Sequence, residues 1–533
     1  MPPLLHRAFA TPALAPLQEG TFRMLWLAWL AANVTMWMND VAAAWLMTSL
    51  TTRADLVALV QTASTLPVFL LGLPSGAMAD ILDRRRYFAV TQLWVAINAL
   101  VLAALSLADA LSAPLLLVLT FVNGVGLAMR WPVFAAIVPD IVSREHLAAA
   151  LALNGIAMNL SRVVGPVVAG ALLAGAGSAA VFVVNAVLSV VAFALILRWR
   201  HTPRTSALPG ERFVGAMRVG LQHVRQSPRM KVVLLRIFLF FLQSTALIAL
   251  LPLIARRLHG GGPGTFTLML ACLGAGAIFA SLQFPRWRRR FDRDHFVRYG
   301  TWTLSAMSLV VVFSPSAWLA LPAMVVIGMA WISTANSLMT AAQLALPNWV
   351  RARGMAIYQM ALMGGAAVGA VLWGQVAGAA DVRIAVAASA LLGPLLLMAT
   401  RRLSVEGPEE DFSPAQVLVP ADPDAPVGAD EGPVMVTVEY LIDPARARDF
   451  AQVMRLTRAA RLRQGALSWG LFRDTSVPGR YIEYFLDESW VEHLRRLERF
   501  TASDADLRGR RLAFHLGGGI PKVQRYVGET LPG

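Results

Sequence analysis

The sequence predicts an all-α membrane protein of twelve transmembrane helices in two six-helix bundles, with a small α+β domain appended. Three observations point there. Apolar runs of about 20 residues, the length that crosses a bilayer, recur up to residue 402. Charged residues are only 15% of the 533-residue chain, against roughly a quarter in soluble domains. Glycines and arginines also recur at one spacing between the two halves of the apolar region.

Residues 1–22 lack the charged start, short apolar core and small-residue cleavage site of a signal peptide, so the first span is expected to be retained. Apolar runs at 23–49, 55–79, 87–108, 114–138, 147–173 and 179–198 make the first bundle, 23–198. Runs at 231–255, 264–284, 295–313, 317–342, 354–379 and 382–400 make the second, 231–402. Alternating the loops between two sides leaves only Arg53, Arg256, Arg257 and Arg383 on one of them; Arg130, Arg162 and Arg236 fall inside spans. Basic loops stay in the cytoplasm, so both termini are expected there. The net charge of +15 then reflects orientation and attraction to anionic head groups, and no nucleic-acid partner is expected. Only Lys231 and Lys522 are lysines among 47 basic residues, the bias of a GC-rich bacterial genome, and a bacterial inner membrane is the expected location. A lone Cys272 excludes an intrachain disulfide.

A single shift lays Gly72 on Gly276, Arg84–Arg86 on Arg288–Arg290, Gly124 on Gly328, Gly165 on Gly369, Gly170 on Gly374 and Arg198 on Arg402. Such a parallel repeat implies two related halves with a substrate site between them. The bundles are joined by residues 199–230, where Phe213, Met217, Leu221 and Val224 recur at helical spacing. Two placements fit that stripe: packed on the underside of the bundles, or lying in the lipid interface.

Residues 403–432 are acidic and proline-rich and read as a tether. Residues 433–533 then show soluble patterning. Val434–Ile442 alternates as a strand, and Asp443–Arg463 reads as a helix with Asp443 as cap. Ala466–Arg473 and Arg480–Leu486 form a hairpin around Pro478 and Gly479; a helix from Trp490 and a strand at Lys522–Gly528 follow. This β-α-β-β-α-β order suggests a ferredoxin-like domain.

Residues 72–86 close the second span with small residues, an acid and three arginines. They resemble the loop between helices 2 and 3 of the major facilitator superfamily: Gly76, Asp80, Arg85 and Arg86 match its pattern, while Ile81 and Asp83 replace a basic residue and a glycine. With Gly72 and Arg84 these form the gating motif, and Asp80 is expected at the cytoplasmic mouth, paired with an arginine of its loop or meeting a helix amino end. In the fifth span, Asn159–Pro166 with Gly165 and Gly170 resembles the Gly-Pro motif of the antiporter branch, where Pro166 is expected to kink the helix. Residues 343–354 resemble the helix 10–11 loop of the transmembrane secretion effector branch, which includes the enterobactin exporter. Residues 433–533 resemble antibiotic-biosynthesis-monooxygenase-like (ABM-like) domains at 443–446, 465–470 and 488–494. The resemblance implies proton-driven export of a small molecule, a siderophore or drug-like metabolite, and a domain that dimerises through its sheet. An oxygenase activity resting on Trp469 and His493, or a receptor that transports nothing, are the alternatives. No enzyme activity is expected, nor a cofactor or metal, and no ATP-binding loop occurs.

Asp40 is the only carboxylate deep within a span, on a face with Asn33 and Trp37. Intramembrane ionisable groups are expensive and mark function. Asp40 is expected to pair with Arg162, or second with Arg130. Two readings of that pair stand: a proton-coupling switch, or a permanent staple between helices. By the resemblance, Asn33, Trp37, Asn123, Asn159, Gln243, Asn336, Thr340 and Gln343 are candidate substrate contacts in the central cavity.

Overall fold

The computed structural model describes residues 14–143, 145–199, 213–258, 261–407, 410–413, 415, 427–517 and 519–529. They fall into two compact units: 1–209, 233–340 and 356–406 in the first, and 210–232, 341–355 and 407–533 in the second.

The first unit is helical. Helices α1 (Gly20–Leu50), α2 (Ala54–Ile81), α3 (Arg84–Leu107) and α4 (Ala113–Ile141) precede α5 (Leu147–Arg198), a 52-residue element holding the fifth and sixth predicted spans. After α6 (Phe213–Gln226), which belongs to the second unit, come α7 (Pro228–Arg257), α8 (Pro263–Trp287), α9 (Arg293–Phe313), α10 (Ala317–Leu344), α11 (Arg351–Ala379) and α12 (Val382–Ala399). Among the described residues, ten helices are long and apolar enough to cross a membrane. That differs from the expected twelve for two physical reasons. The fifth and sixth spans are continuous at Leu153–Arg198, and α1 carries Asn33, Asn39 and Asp40, which lower its apolarity. The break in α5 is at Gly177, whose φ of 79° and ψ of −179° suit glycine alone. Pro166, the expected kink, lies within regular helix.

The glycine repeat has a packing counterpart. Gly165 of α5 sits against Val34 O and Trp37 of α1, and Gly365 and Gly369 of α11 sit against the Phe238 and Leu242 carbonyls of α7. Between the halves, Gly170 of α5 abuts Thr267 of α8, and Gly374 of α11 abuts Ala58 of α2. In each case a Cβ would collide, so glycine lets the helices approach at backbone distance. The α2–α11 seam continues from Asp55 at Gly378, through Thr62 donating to Ala367 O (3.2 Å), to Gly72 beside Met360.

The second unit contains a four-stranded antiparallel sheet in the order β2-β3-β1-β4, with β1 Val434–Leu441, β2 Ser468–Arg473, β3 Arg480–Asp487 and β4 Val523–Val527. Helix α13 (Ala447–Arg463) lies between β1 and β2; α14 (Trp490–Glu498) and α15 (Ala502–Leu512) replace the single second helix expected from sequence. Arg499 caps the end of the first, and Thr501 caps the start of the second in a reciprocal pair with Asp504. Asp443 caps the turn before α13, accepting from Ala445 N at 2.9 Å. The core packs Val434, Val436, Tyr440, Phe450 and Phe485.

Two expectations are corrected here. Helix α6 buries Val219, His223 and Val224 against the appended domain, and leaves Leu221 of the predicted stripe exposed. Arg218 pairs with Glu488 at 2.6 Å, and Gln222 donates to Ala466 O at 2.7 Å. A partner face some 240 residues downstream, not lipid, decides its orientation. The described parts of 403–432 are also pinned, not free. Asp294 accepts from Val405 N at 2.8 Å, Arg293 pairs with Glu406, and further along Glu410 pairs with Arg463 and Glu431 O accepts from Trp490 N.

Candidate functional site

The guanidinium of Arg162 in α5 lies 5.5 Å from the ring of Trp37 in α1 and 5.0 Å from that of Trp331 in α10. Each cation–π contact is worth about 0.5–2 kcal/mol. Trp331 in turn meets Phe241 of α7 edge to face at 5.5 Å. Helices α1, α5 and α10, from both halves, thus meet at one cation, with α7 behind Trp331. Arg162, Trp37 and Trp331 are half-buried, and Arg162 Nε is buried without a hydrogen-bond partner.

The expected Asp40–Arg162 pair is not formed, nor is a pair with Arg130. Asp40 is half-buried, and its Oδ1 is enclosed without a partner. Helical phase explains the miss: sequence fixes how far along α1 and α5 two residues lie, but not which way the side chains turn. Asn33 on the same helix donates to Trp29 O at 2.8 Å, while its Oδ1 is enclosed without a partner.

Arg130 is a buried packing residue. It is fully enclosed in the first bundle, donating to Ala32 O (3.1 Å) and Gln92 Oε1 (3.3 Å), with its charge 5.5 Å from the Trp29 ring. Gln92 continues to Ser189 O, Ser189 to Asn185, and Asn185 to Asn39. This polar chain through α1, α3, α4 and α5 was not anticipated. Its signal in sequence was several amides in apolar spans, each needing a partner once water is excluded.

The other candidates divide. Gln243 is buried within the second half, donating to Ser305 Oγ at 2.6 Å while its Oε1 is enclosed without a partner. Asn123 is buried; Asn336 and Thr340 are half-buried; Gln343 is exposed. The Asn159, Gly76 and Asp80 side chains lie outside the described residues. In the rest of the gating motif, Arg85 donates to Leu197 O at 2.8 Å, and Arg86 is exposed. Asp83, which replaces the motif's glycine, caps α3 by accepting from Arg86 N at 2.8 Å. Trp331 was missed altogether. Its signal in sequence is a tryptophan inside an apolar span, an aromatic face that attracts a cation.

At the end of the bundles away from the 2–3 loop, a cavity of about 600 Å³ opens between α2, α7, α11 and α12. Arg53 pairs there with Asp55 and Arg257 with Asp381, both at 2.6 Å, and Arg256 lies 5.0 Å from the Trp45 ring. These are three of the four exceptions to the loop asymmetry, and the structure gathers them at one end and neutralises or stacks them. Asp381, held by Arg257, drops to a pKa of about 2.

In the appended domain, β3 turns two carboxylates into the core. Glu483 accepts from Tyr440 (2.9 Å), Arg461 and Trp469 (3.0 Å each). Burial opposes its ionisation, but Arg461 and Arg511 outweigh that and hold the carboxyl below its ordinary pKa. Asp487 accepts from Arg496 and meets His493 Nδ1 at 2.8 Å. Burial holds the His493 pKa low against the pull of Asp487. His493 is 1% exposed, and the half-buried Trp469 donates its indole N–H to Glu483. A cavity of about 20 Å³ beside His223, Trp349, Arg463 and Arg499 is too small for an organic molecule.

Comparison with known proteins gives a consistent fold. The profile of the family described as "Transmembrane secretion effector" matches residues 11–532. The chain is 21% identical over 254 residues to the Staphyloferrin A transporter of Staphylococcus aureus (strain NCTC 8325 / PS 47), covering 47% of this chain and 63% of that protein. The match thus spans less than two thirds of that relative. Among solved structures, a bacterial homolog of the human lysosomal transporter Spinster, inward-facing and unoccupied, superposes with a TM-score of 0.57 at 15% identity, over 73% of this chain and 96% of the other. A D-xylose–proton symporter gives 0.58 at 13% identity, over 72% and 97%.

Proposed function

Because the chain belongs to the transmembrane secretion effector family of major facilitator transporters, we propose that it is a proton-coupled exporter of a small molecule, of the siderophore or drug-like class. It is a multi-pass membrane protein of ten apolar helices among the described residues. The count rises to twelve crossings if the 46-residue stretch Leu153–Arg198 crosses twice, as about 20 residues per crossing permits, and α1 crosses despite its polar residues. The basic-loop end then faces the cytoplasm of a bacterial inner membrane, with both termini on that side.

The observation that carries the reading is the reciprocal crossing of the halves, α5 on α8 and α11 on α2, through Gly170 and Gly374. Two halves related in this way, meeting at a seam that holds ionisable groups, suit alternating access around a central site. Asp40 is the proton carrier in this proposal, since its Oδ1 is enclosed and uncommitted. The siderophore class rests on the family resemblance read from the sequence and on the relative's name. The appended domain is ferredoxin-like and non-catalytic, and it pairs with a second copy through the outer sheet face, where Phe472 stacks on Tyr484 at 5.6 Å and Tyr526 is exposed.

The test is uptake into inverted membrane vesicles under an imposed pH gradient, screened against a metabolite panel. Gradient-driven accumulation of a panel compound, abolished in Asp40→Asn with binding retained, is the expected result. Accumulation that persists in Asp40→Asn would remove the carboxyl from the mechanism, and a gradient that drives nothing would remove the exporter reading.

A further inference from the structure

We infer that Arg162 is the binding point for a carboxylate of an aromatic or other planar organic anion, held at the seam between Trp37 and Trp331. This names the substrate class of the transporter proposed above and rests on that reading.

Three observations converge. First, Arg162 makes no ion pair or hydrogen bond among the described residues, and its Nε is buried and unpartnered. The other span arginines share an unpartnered Nε but commit their terminal nitrogens: Arg130 to Ala32 O and Gln92, and Arg236 to Thr400 Oγ1 and the Thr400 and Leu403 carbonyls at 2.7–3.0 Å. A cation inside a bilayer is expensive without compensation, and Asp40, one turn from Trp37, does not supply it. Second, the contacts that Arg162 does make are to π faces. Those attract the charge while leaving the N–H groups unspent.

Third, Arg162 remains partly accessible although helices of both halves surround it, with neighbouring Val163 against Gly274 of α8. Its ring neighbours come one from each half, which suits a site at their seam. A guanidinium offers a planar fork of donors that matches a carboxylate with two parallel hydrogen bonds. Indoles from α1 and α10, with Phe241 behind Trp331, supply apolar walls for a flat organic body. Such walls favour an organic anion over a strongly hydrated inorganic one.

The experiment uses the full chain in lipid nanodiscs, with 1-naphthoate as probe and 1-naphthamide as its uncharged counterpart. Binding is read by titration calorimetry and by the rise in melting temperature. Naphthoate should bind saturably and the amide at least about tenfold more weakly. Arg162→Gln should lose at least tenfold in naphthoate affinity, Arg162→Lys should lose less, and Asp40→Asn should keep it. If Arg162→Gln fails to fold, Trp331→Ala carries the same expectation of weakened naphthoate binding. Equal binding of acid and amide, an unchanged affinity in Arg162→Gln, or no saturable naphthoate binding up to its solubility limit overturns the inference. Naphthoate bound through Arg162 by a protein that moves nothing under a pH gradient would keep this site and sink the exporter reading. Gradient-driven transport of neutral compounds alone, unaffected by Arg162→Gln, would do the reverse.

Discussion

His223 of α6 meets Trp349 of the 10–11 loop edge to face, with ring centroids 5.5 Å apart and planes at 88°. The imidazole is 4% exposed, and its Nδ1 lies 3.3 Å from Arg463 O, the geometry of a neutral ring donating to a carbonyl. Burial, then the charge of Arg463, push its pKa down to about 4. The released or unfolded ring titrates near 6.5. Stability from the neutral ring is therefore complete above about pH 6.5 and is lost as pH falls towards 4, by at most about 3 kcal/mol. Hydrogen exchange of α6 in the full chain should speed up across that window, and His223→Phe should flatten the profile. An α6 protected equally at pH 7 and pH 4.5 would show that the ring does not control docking.

Glu483 sits among Arg461, Trp469 and Tyr440 with no exposed surface. Glu483→Gln leaves Arg461 and Arg511 buried without their counter-charge, which costs about 3–5 kcal/mol. Limited proteolysis of the full chain should cut the appended domain much faster in this variant. Replacing Glu483 and Arg461 together by Met should recover part of the resistance, because apolar side chains carry no desolvation cost.

Gly170 and Gly374 tolerate no Cβ, whereas Gly155 has open space around it. Gly170→Leu and Gly374→Leu should each destabilise the first unit by about 1–3 kcal/mol through overpacking. Gly155→Leu should leave the melting temperature unchanged. Similar melting curves for all three variants would mean that the crossings are loose.

Gly177 is different in kind, since nothing lies within 4 Å of an added Cβ and only its positive φ resists substitution. Gly177→Ala should cost about 1–3 kcal/mol of purely backbone strain. The check is the melting temperature beside that of Gly175→Ala, a neighbour with equal space and helical backbone.

Much of this fold is legible in sequence because a bilayer imposes one length and one polarity on every crossing. The glycine repeat announced the paired helices, and the loops announced the ends at which Arg53, Arg257 and Asp381 gather. What was not legible depended on rotation about helix axes or on distant partners. Asp40, Arg162 and Arg130 share a stretch of membrane, but only tertiary packing turned Arg162 to two tryptophans and Arg130 to Ala32 and Gln92. The stripe on α6 was read correctly as amphipathic, yet its docking face lay in a domain some 240 residues away. Asp83 broke a loop pattern for a local reason, the cap of α3, which the pattern alone does not contain.

The glycine crossings also bear on how easily the halves move. Large interlocked side chains resist sliding, because each must hop between rotamers and so adds an activation step. At Gly170, Gly374 and Gly378 one surface of each crossing is bare backbone, with no rotamer to exchange. Such a seam behaves as a smooth bearing: the helices slide past each other over low barriers while staying in van der Waals contact. Rocking between the two faces of the membrane is then limited by what breaks at the ends of the bundles, such as the Arg257–Asp381 pair, and little by friction along their length.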